Sequence, residues 1–407
     1  MFSGETWRQD SNLFDSDYFP YLEISAVGLG TNEYQLEDVK IENAPSRARM
    51  VLRENDIVIS TTRPHRGAIA KIKAEQTPFI GSTGFAVIRN IIDESFDSTY
   101  LLNTLFSEMV LKQFFRRSSG GSYPAITLDE LCLVKIPLPS LPIQEKLVKE
   151  MERARESRRR KLSEADALLS TLDGWLLDTL GIAPPPEDNR KVFAVRLNDV
   201  IKTSRLNSDY FHPERLLAVR NIEQQHDRIK VAPLHSVVDF IRSSRKSPTG
   251  RYLGLANVQS HTGEFVNVDE KAEGNVLAFA ENDVLFGRLR PYLNKVYRAE
   301  FDGECSPEFH VMKTKNVNEL HADYLAVILR SSIILAQTKH MMTGNTHPRL
   351  TNEDVVNLII PIPSIAIQNL IGEEVRKRKA DARRLKSEVE SEWQAAKDWF
   401  EAQLLGE

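Results

Sequence analysis

Cysteine is almost missing from this sequence: Cys132 and Cys305 are the two among 407 residues. Two thiols cannot build a disulfide framework or a four-thiolate zinc site, which removes the small secreted scaffolds from consideration. No basic-then-apolar stretch opens the chain, so a reducing cytoplasm is the expected location. Long apolar runs are missing as well. The longest, such as residues 324–329, fall far short of the roughly 18 residues that a spanning helix needs, and no membrane role is expected. Nor does one sign of charge dominate. Residues 1–140 carry 14 basic and 18 acidic side chains, 141–182 carry 8 and 8, 183–363 carry 23 and 22, and 364–407 carry 8 and 9. A domain that clamps DNA unaided usually has a large positive balance, because phosphate neutralisation supplies most non-specific affinity. Any DNA binding here is then local, or shared with a partner.

Catalytic signatures are also lacking. The sequence has no Asp/Asn-Pro-Pro-Tyr/Phe methyltransferase motif, no phosphate loop and no complete dinucleotide turn, since Gly28-Leu29-Gly30 has no third glycine. Ser243-Ser244-Arg245-Lys246 contains Ser-x-x-Lys without the companion elements of that hydrolase class, and reads as a solvated basic loop. The nine histidines show no pair at metal-ligand spacing, so no metal site is expected and His65, His235 and His310 read as ordinary residues. An enzyme is not expected.

What is present is a long internal repeat. Glu54-Asn55-Asp56-Ile57 recurs as Glu281-Asn282-Asp283-Val284, and Arg63-Pro64 as Arg290-Pro291, both displaced by 227. From Phe85/Phe309 onward the displacement is 224 and holds through Tyr100-Leu101/Tyr324-Leu325, Gly120/Gly344, Pro124/Pro348 and Thr127/Thr351 to Ile136-Pro137-Leu138-Pro139-Ser140/Ile360-Pro361-Ile362-Pro363-Ser364 and Gln144/Gln368. A unit this long is a duplicated domain with its connector, not a solenoid repeat. Short β-branched runs between Gly, Asn and Pro predict an α+β globule in each half.

After each Pro-rich segment the apolar positions fall three and four apart, as in a long helix. Leu147, Met151, Leu169 and Leu176 lie on the first stripe, with Ala165; Ile371, Val375, Trp393 and Phe400 lie on the second, with Val389. A long helix with a narrow stripe needs a partner helix, and its own duplicate is the nearest candidate, in an antiparallel pair. Gly181 ends the first helix, and Pro184-Pro185-Pro186 opens a linker.

These features resemble the specificity (S) subunit of type I restriction–modification enzymes. The resemblance covers most of the chain and is carried best by residues 120–144 and 344–368, with the strand at residues 21–25 and the stretch 205–213 also similar. It implies an α+β fold: two pseudo-symmetric target-recognition domains separated by two long antiparallel helices forming a coiled-coil-like rod. The expected division is residues 1–140 for the first domain, 141–182 for the first spacer helix, 183–363 for the linker and second domain, and 364–407 for the second helix. About 60 residues precede Tyr252 in the second half against 20 before the matching Tyr21, so the first domain is expected to be shortened at its start. Asp15–Pro20 echoes Asn207–Pro213 without the intervening segment.

Two pairs of loops at repeat-equivalent places, and a third basic loop, are the candidate DNA contacts. Thr61, Thr62, Arg63, His65 and Arg66 match Arg288, Arg290 and Tyr292, each set following a strand. Arginine can bridge guanine in the major groove, and small polar groups can bond base edges or phosphates. Arg63 and Arg290, shared by both halves, are expected on phosphate or in structural roles, their unshared neighbours in readout. Ser122 and Tyr123 match Asn345, Thr346 and His347, with Arg349 close by; Arg242, Ser243, Arg245 and Lys246 form the third loop. The basic runs at residues 158–161 and 376–384 read as solvated helix faces or contacts to intervening DNA.

The expected function is therefore non-catalytic, sequence-specific recognition of a bipartite double-stranded DNA target. The resemblance implies two adenine-specific methyltransferase subunits as partners, with a restriction/translocase subunit as a further one. No cofactor is expected on this chain, S-adenosylmethionine and ATP belonging to the partners. The alternative is a protein-interaction scaffold in a methyltransferase defence complex, with little DNA reading of its own.

Overall fold

The computed structural model describes all residues except 1, 10–12, 74–77, 90–95, 189, 191, 204–205, 247–249, 273, 342–347 and 407; of residues 202–203 it gives only the backbone. The chain divides into two compact units, one of residues 1–162 with 386–407 and one of residues 163–385. These boundaries fall inside both long helices, each of which gives about half of its length to each unit.

In the first unit the strands Glu37–Lys40, Tyr18–Leu22, Phe79–Ser82 and Ala48–Leu52 form one sheet, and Ile69–Lys71, Ile57–Ser60 and Phe85–Ile88 a second. The second unit repeats this core: Tyr252-Leu253 runs parallel to Glu304-Cys305 as Tyr21-Leu22 does to Ile80-Gly81. Leu285 sits between Tyr297 and Val311 as Val58 does between Ala70 and Val87. Each unit is thus α+β, and the two are pseudo-symmetric.

The repeated Glu-Asn-Asp-Ile/Val motif makes the turn that feeds the central strand. Asn55 and Asn282 adopt positive φ of 65° and 70°, a conformation that asparagine tolerates better than most residues. The carboxylates of Asp56 and Asp283 then accept from the amides of Arg53 and Ala280, each at 2.8 Å. The amide of the preceding Asn donates to the residue just past the neighbouring strand, Ile72 or Ala299, at 2.9 Å in both units. Thr127 and Thr351 cap the short helices Leu128–Cys132 and Asn352–Val356 by accepting from Glu130 and Asp354.

The units differ at their starts. The second carries the helix Pro213–Glu223, the strand Lys230–Pro233 paired with Ile359–Ile362, and the strand Val238–Ile241 beside Phe309–Thr314. In the first unit, the place beside Ile88 that corresponds to Met312 is taken by a single bridge from Phe2. The echo between Asp15–Pro20 and Asn207–Pro213 does not extend to conformation. Tyr18–Leu22 is a strand, whereas Ser208–Phe211 is a 3-10 turn from which Pro213 opens an α-helix, because the flanking residues supply a sheet partner in one case and a helical face in the other.

The first long helix spans Leu141–Ser170 and is followed by Leu172–Leu180; the second spans Ile365–Leu405. Gly181 closes the first at φ 69°. Within the first unit Leu147 and Met151 pack with Tyr100, Trp393 and Phe400. Within the second, Ala165 meets Ala382 and Leu385 with Leu169 against them, and Leu176 shares a core with Ile371 and Val375. Rising numbers on one helix meet falling numbers on the other, so the pair is antiparallel.

The motif that begins each long helix also locks it to its globule. Tyr100 and Tyr324, both fully buried, donate their hydroxyls to the carbonyls of Pro137 and Pro361 at 2.9 and 2.7 Å. The buried Gln144 accepts from the Asp97 amide at 2.9 Å and donates to Pro139 at 2.8 Å; Gln368 accepts from the His321 amide at 2.9 Å and donates to Pro363 and Glu319 at 2.9 and 2.7 Å. Replacing Gln368 by Leu keeps the volume but strands one buried amide and two carbonyls. Each unsatisfied buried group costs about 1–3 kcal/mol, so with three groups stranded Gln368→Leu is expected to lose at least about 3 kcal/mol. A urea unfolding curve checks this; an unchanged midpoint would refute the role of the lock.

Candidate nucleic-acid interface

The loops singled out by the repeat come together in pairs. Thr62 bridges Ala125, and Leu289 bridges Arg349. The Arg63 amide donates to the Pro124 carbonyl at 2.7 Å and the Arg290 amide to Pro348 at 2.8 Å. Ile126 and Leu350 donate back to Thr61 and Arg288 at 2.9 and 3.1 Å. In each unit a loop that follows the central strand is therefore stitched to the loop before the Thr-capped helix, by the same backbone bonds.

Arg63 and Arg290 share more than sequence. Both adopt the left-handed conformation, φ 50° and 48°, and both precede a proline that opens a 3-10 turn, Pro64–Arg66 and Pro291–Leu293. Proline disfavours the right-handed helical region for the residue before it, and the left-handed region carries strain for any side chain bearing a Cβ. The Arg63 guanidinium donates to the Ser122 carbonyl at 2.8 Å and lies 4.2 Å above the Tyr123 ring, so it braces the paired loop. Tyr123 itself is 71% exposed. Thr61 donates its hydroxyl to Gly84 at 2.9 Å, His65 packs edge-on to Phe115 with centroids 5.1 Å apart, and Arg66 is exposed. Burial and the neighbouring Arg66 and Arg63 lower the His65 pKa.

In the second unit Tyr292 is exposed, and the Nε atoms of Arg288 and Arg290 are buried without a hydrogen-bond partner among the described residues. Arg349 is held bidentately by Glu308, with contacts from 2.7 to 3.1 Å. Asn345, Thr346 and His347 lie outside the described residues. Arg242, Ser243, Arg245 and Lys246 are exposed; Arg245 reaches Glu304 at 3.2 Å, with Ser244-Arg245 paired to Leu277 and Val276.

Arg242 and Arg288 line a cavity of about 210 Å³ together with His310, Asn352 and the apolar Phe240, Leu277 and Phe309. By sequence alone His310 reads as an ordinary residue. Burial, then Arg288 and Arg242, push its pKa down to about 4, and its Nε2 has no partner among the described residues. No spacing rule could have found it, because the pairing of Phe309–Thr314 with Val238–Ile241 sets residues nearly 70 positions apart side by side.

Several residues of the basic runs on the long helices pair with carboxylates of their own units. Arg158 pairs with Glu33 at 3.0 Å, and Lys161 with Glu388 and Glu392 at 3.1 and 2.6 Å. Lys379 and Arg383 both bind Glu264, at 2.6 Å each, and Arg376 binds Asp323. Burial and the nearby Arg330 bring the Lys379 pKa down to about 8. Glu33 and Glu264 occupy equivalent turns, so these contacts latch each globule to its helix a second time.

Among the described residues, one group could hold a metal ion: His212, Glu214 and His340. No helix among them is long and apolar enough to cross a membrane.

The displaced pKa of His310 carries a pH signature. Its folded pKa of about 4 lies below the ordinary 6.5, so the stability of keeping it neutral is complete above pH 6.5 and is lost as the pH falls toward 4. Thermal melts between pH 7.5 and 4.5 should show a smaller decline in His310→Gln than in the parent; equal declines would place the titration elsewhere.

Comparison with known proteins adds the family. The model of the type I restriction modification DNA specificity domain matches residues 2–161 and 239–380. The specificity subunit of type I restriction enzyme HindI from Haemophilus influenzae is 24% identical over 150 residues, 36% of this chain and 32% of that protein. That of type I restriction enzyme EcoDI from Escherichia coli is 21% identical over 157 residues, 38% of this chain and 34% of that one. The chain thus spans about a third of the length of the curated relatives it matches. The crystal structure of the HsdS subunit from Thermoanaerobacter tengcongensis aligns at 21% identity and a TM-score of 0.39, covering 98% of this chain and 92% of that one. With a family match in each of its two halves, the chain belongs to the type I restriction modification DNA specificity domain family.

Proposed function

We propose that this chain is the non-catalytic DNA-reading subunit of a type I-like restriction–modification or methylation-based phage-defence complex in the cytoplasm. It reads a bipartite double-stranded target, one half through each unit, and positions two adenine methyltransferase subunits, with a restriction/translocase subunit as a further partner. Methyl transfer, base flipping and ATP hydrolysis belong to those partners, which bind S-adenosylmethionine and ATP. The observation that carries this reading is the stitched loop pair, repeated in both units with one backbone frame and different side chains. Thr61, Thr62, His65 and Arg66 stand where the second unit has Arg288, Leu289, Tyr292 and Leu293, the pattern expected of one scaffold reading two different half-sites.

On this reading Arg66, Ser122 and Tyr123 in the first unit contact DNA with Thr61, Thr62, Arg63 and His65. In the second, Arg242, Ser243, Arg245, Lys246, Arg288, Arg290, Tyr292, Asn345, Thr346, His347 and Arg349 do so. The helix pair, packed through Leu147, Met151, Leu169 and Leu176 and through Ile371, Val375, Trp393 and Phe400, sets the gap between the half-sites. Near-neutral charge makes the partner part of the binding surface. In a gel-shift titration the chain alone should bind weakly and gain affinity when a methyltransferase subunit is added. Tight sequence-specific binding by the isolated chain would contradict the shared surface, and no sequence preference in the complex would favour a protein scaffold instead.

Arg63 is braced on Ser122 and Tyr123, whereas Arg288 lines an open cavity. With Arg290 Nε also unpartnered among the described residues, Arg288→Ala and Arg290→Ala are expected to cost more DNA affinity in the complex than Arg63→Ala and Arg66→Ala. A base-contacting arginine carries about 1–3 kcal/mol and relaxes choice at one position, whereas a phosphate contact weakens all sequences alike. Equal losses in both units would contradict this ordering.

A further inference from the structure

His212 caps the helix Pro213–Glu223, Glu214 lies in its first turn, and His340 follows the helix Ser332–Thr338. His212 and His340 are 128 positions apart in sequence, and the packing of these two helices within the second unit brings them together. One potential ligand atom from each of the three residues lies within 4.8 Å of the other two. The rings of His212 and His340 stack with centroids 3.4 Å apart, and His340 Nε2 is 2.9 Å from Glu214 Oε2. Lys339 Nζ holds the other carboxylate oxygen, Oε1, at 2.6 Å. His212 is 7% exposed and Glu214 4%, and the Nδ1 of His212 is buried with no hydrogen-bond partner among the described residues.

A simple buried ion pair accounts for part of this. Lys339 already neutralises Glu214, and His340 adds a hydrogen bond. His212 in turn has a backbone hydrogen bond with Arg190 and an edge contact with Phe193, which leaves unexplained its unsatisfied Nδ1, at a cost of about 1–3 kcal/mol. Two imidazoles and one carboxylate are a ligand set of zinc-class ions, which bind nitrogen and oxygen at about 2.0–2.2 Å. We propose that His212 Nδ1, His340 Nε2 and Glu214 Oε2 bind one divalent transition-metal ion of the zinc class, with solvent as a fourth ligand. To reach it, the rings turn out of their parallel stack by rotation about χ2, and the proton on His340 Nε2 moves to Nδ1 through solvent. Lys339 stays on Oε1, outside the coordination shell, and weakens the site by its charge. Such an ion would clip the two helices together at the point from which the sequence runs on to Asn345, Thr346 and His347. The assignment stands independently of the DNA-reading function.

The test uses the untagged full-length protein, stripped with chelator and titrated with Co²⁺. The expected result is the visible d–d absorption of four-coordinate cobalt, saturating at one equivalent and abolished by Zn²⁺. His340→Asn or Glu214→Gln should weaken the affinity by about a hundredfold or more, beyond the usual effect of a supporting partner. Lys339→Met, which keeps all three ligands, should tighten it by about tenfold through removal of the adjacent charge. No d–d absorption in the folded parent would overturn the site, as would equal cobalt binding by parent, His340→Asn and Glu214→Gln. If those variants fail to fold, unchanged affinity in Lys339→Met would overturn it as well.

Discussion

Each unit of this protein depends on one buried amide. Gln144 and Gln368 sit at the first turn of the long helices, where the backbone leaves a strand or extended segment through two prolines and cannot supply its own hydrogen bonds. Each side chain accepts from an amide at the start of another helix and donates to the carbonyl of the second proline, while a buried tyrosine hydroxyl takes the carbonyl of the first. The direction in which the helix leaves its globule is then set by hydrogen bonds rather than by apolar contact alone, which would tolerate sliding. The second latch, from Glu33 or Glu264 to basic residues about four helical turns on, removes the remaining freedom to pivot. Without the amide, the orientation of the stitched loops relative to the helix of their own unit would rest on the tyrosine bond, the second latch and apolar contact.

The loop pairs divide labour between backbone and side chain. The frame is the same in both units: a left-handed arginine before a proline, an amide-to-carbonyl bond to the proline of the second loop, and a return bond from the residue before the Thr cap. The residues on that frame differ, and so do their states. Arg63 braces its own paired loop, whereas Arg288 and His310 face a cavity, with Arg288 Nε and His310 Nε2 lacking partners among the described residues. A frame made of backbone bonds can accept new side chains without refolding. That is why a duplicated scaffold suits the reading of two unlike half-sites that we propose.

Much of this was legible in the sequence, and the reasons are local. The displacement of 227 then 224 marked both units because the repeated residues are the ones that make turns, caps and locks: Asn55/Asn282, Thr127/Thr351, Gln144/Gln368. The helical stripes were legible because a period of three and four survives any tertiary context. Long-range consequences were not legible. The basic runs read as solvated faces or DNA contacts, but the acids that bind them come from turns more than a hundred residues away, Glu33 for Arg158 and Glu264 for Lys379 and Arg383. The histidine–glutamate cluster was missed for the same reason. The similarity of Asp15–Pro20 to Asn207–Pro213 is one of sequence and not of conformation.

In the function we propose, base choice lives in the two loop frames and spacing lives in the helix pair. The most direct measurement is adenine-methylome sequencing of cells carrying this chain and its methyltransferase partner. It would compare the parent with a variant that has four residues inserted in each helix, after Ala165 and after Ala382. One added turn lengthens each helix by about 6 Å, close to two base pairs at about 3.4 Å each. The account predicts one bipartite motif in the parent, and in the variant the same two half-sites with a gap about two base pairs longer. A single uninterrupted motif, an unchanged gap or altered half-site bases would contradict it.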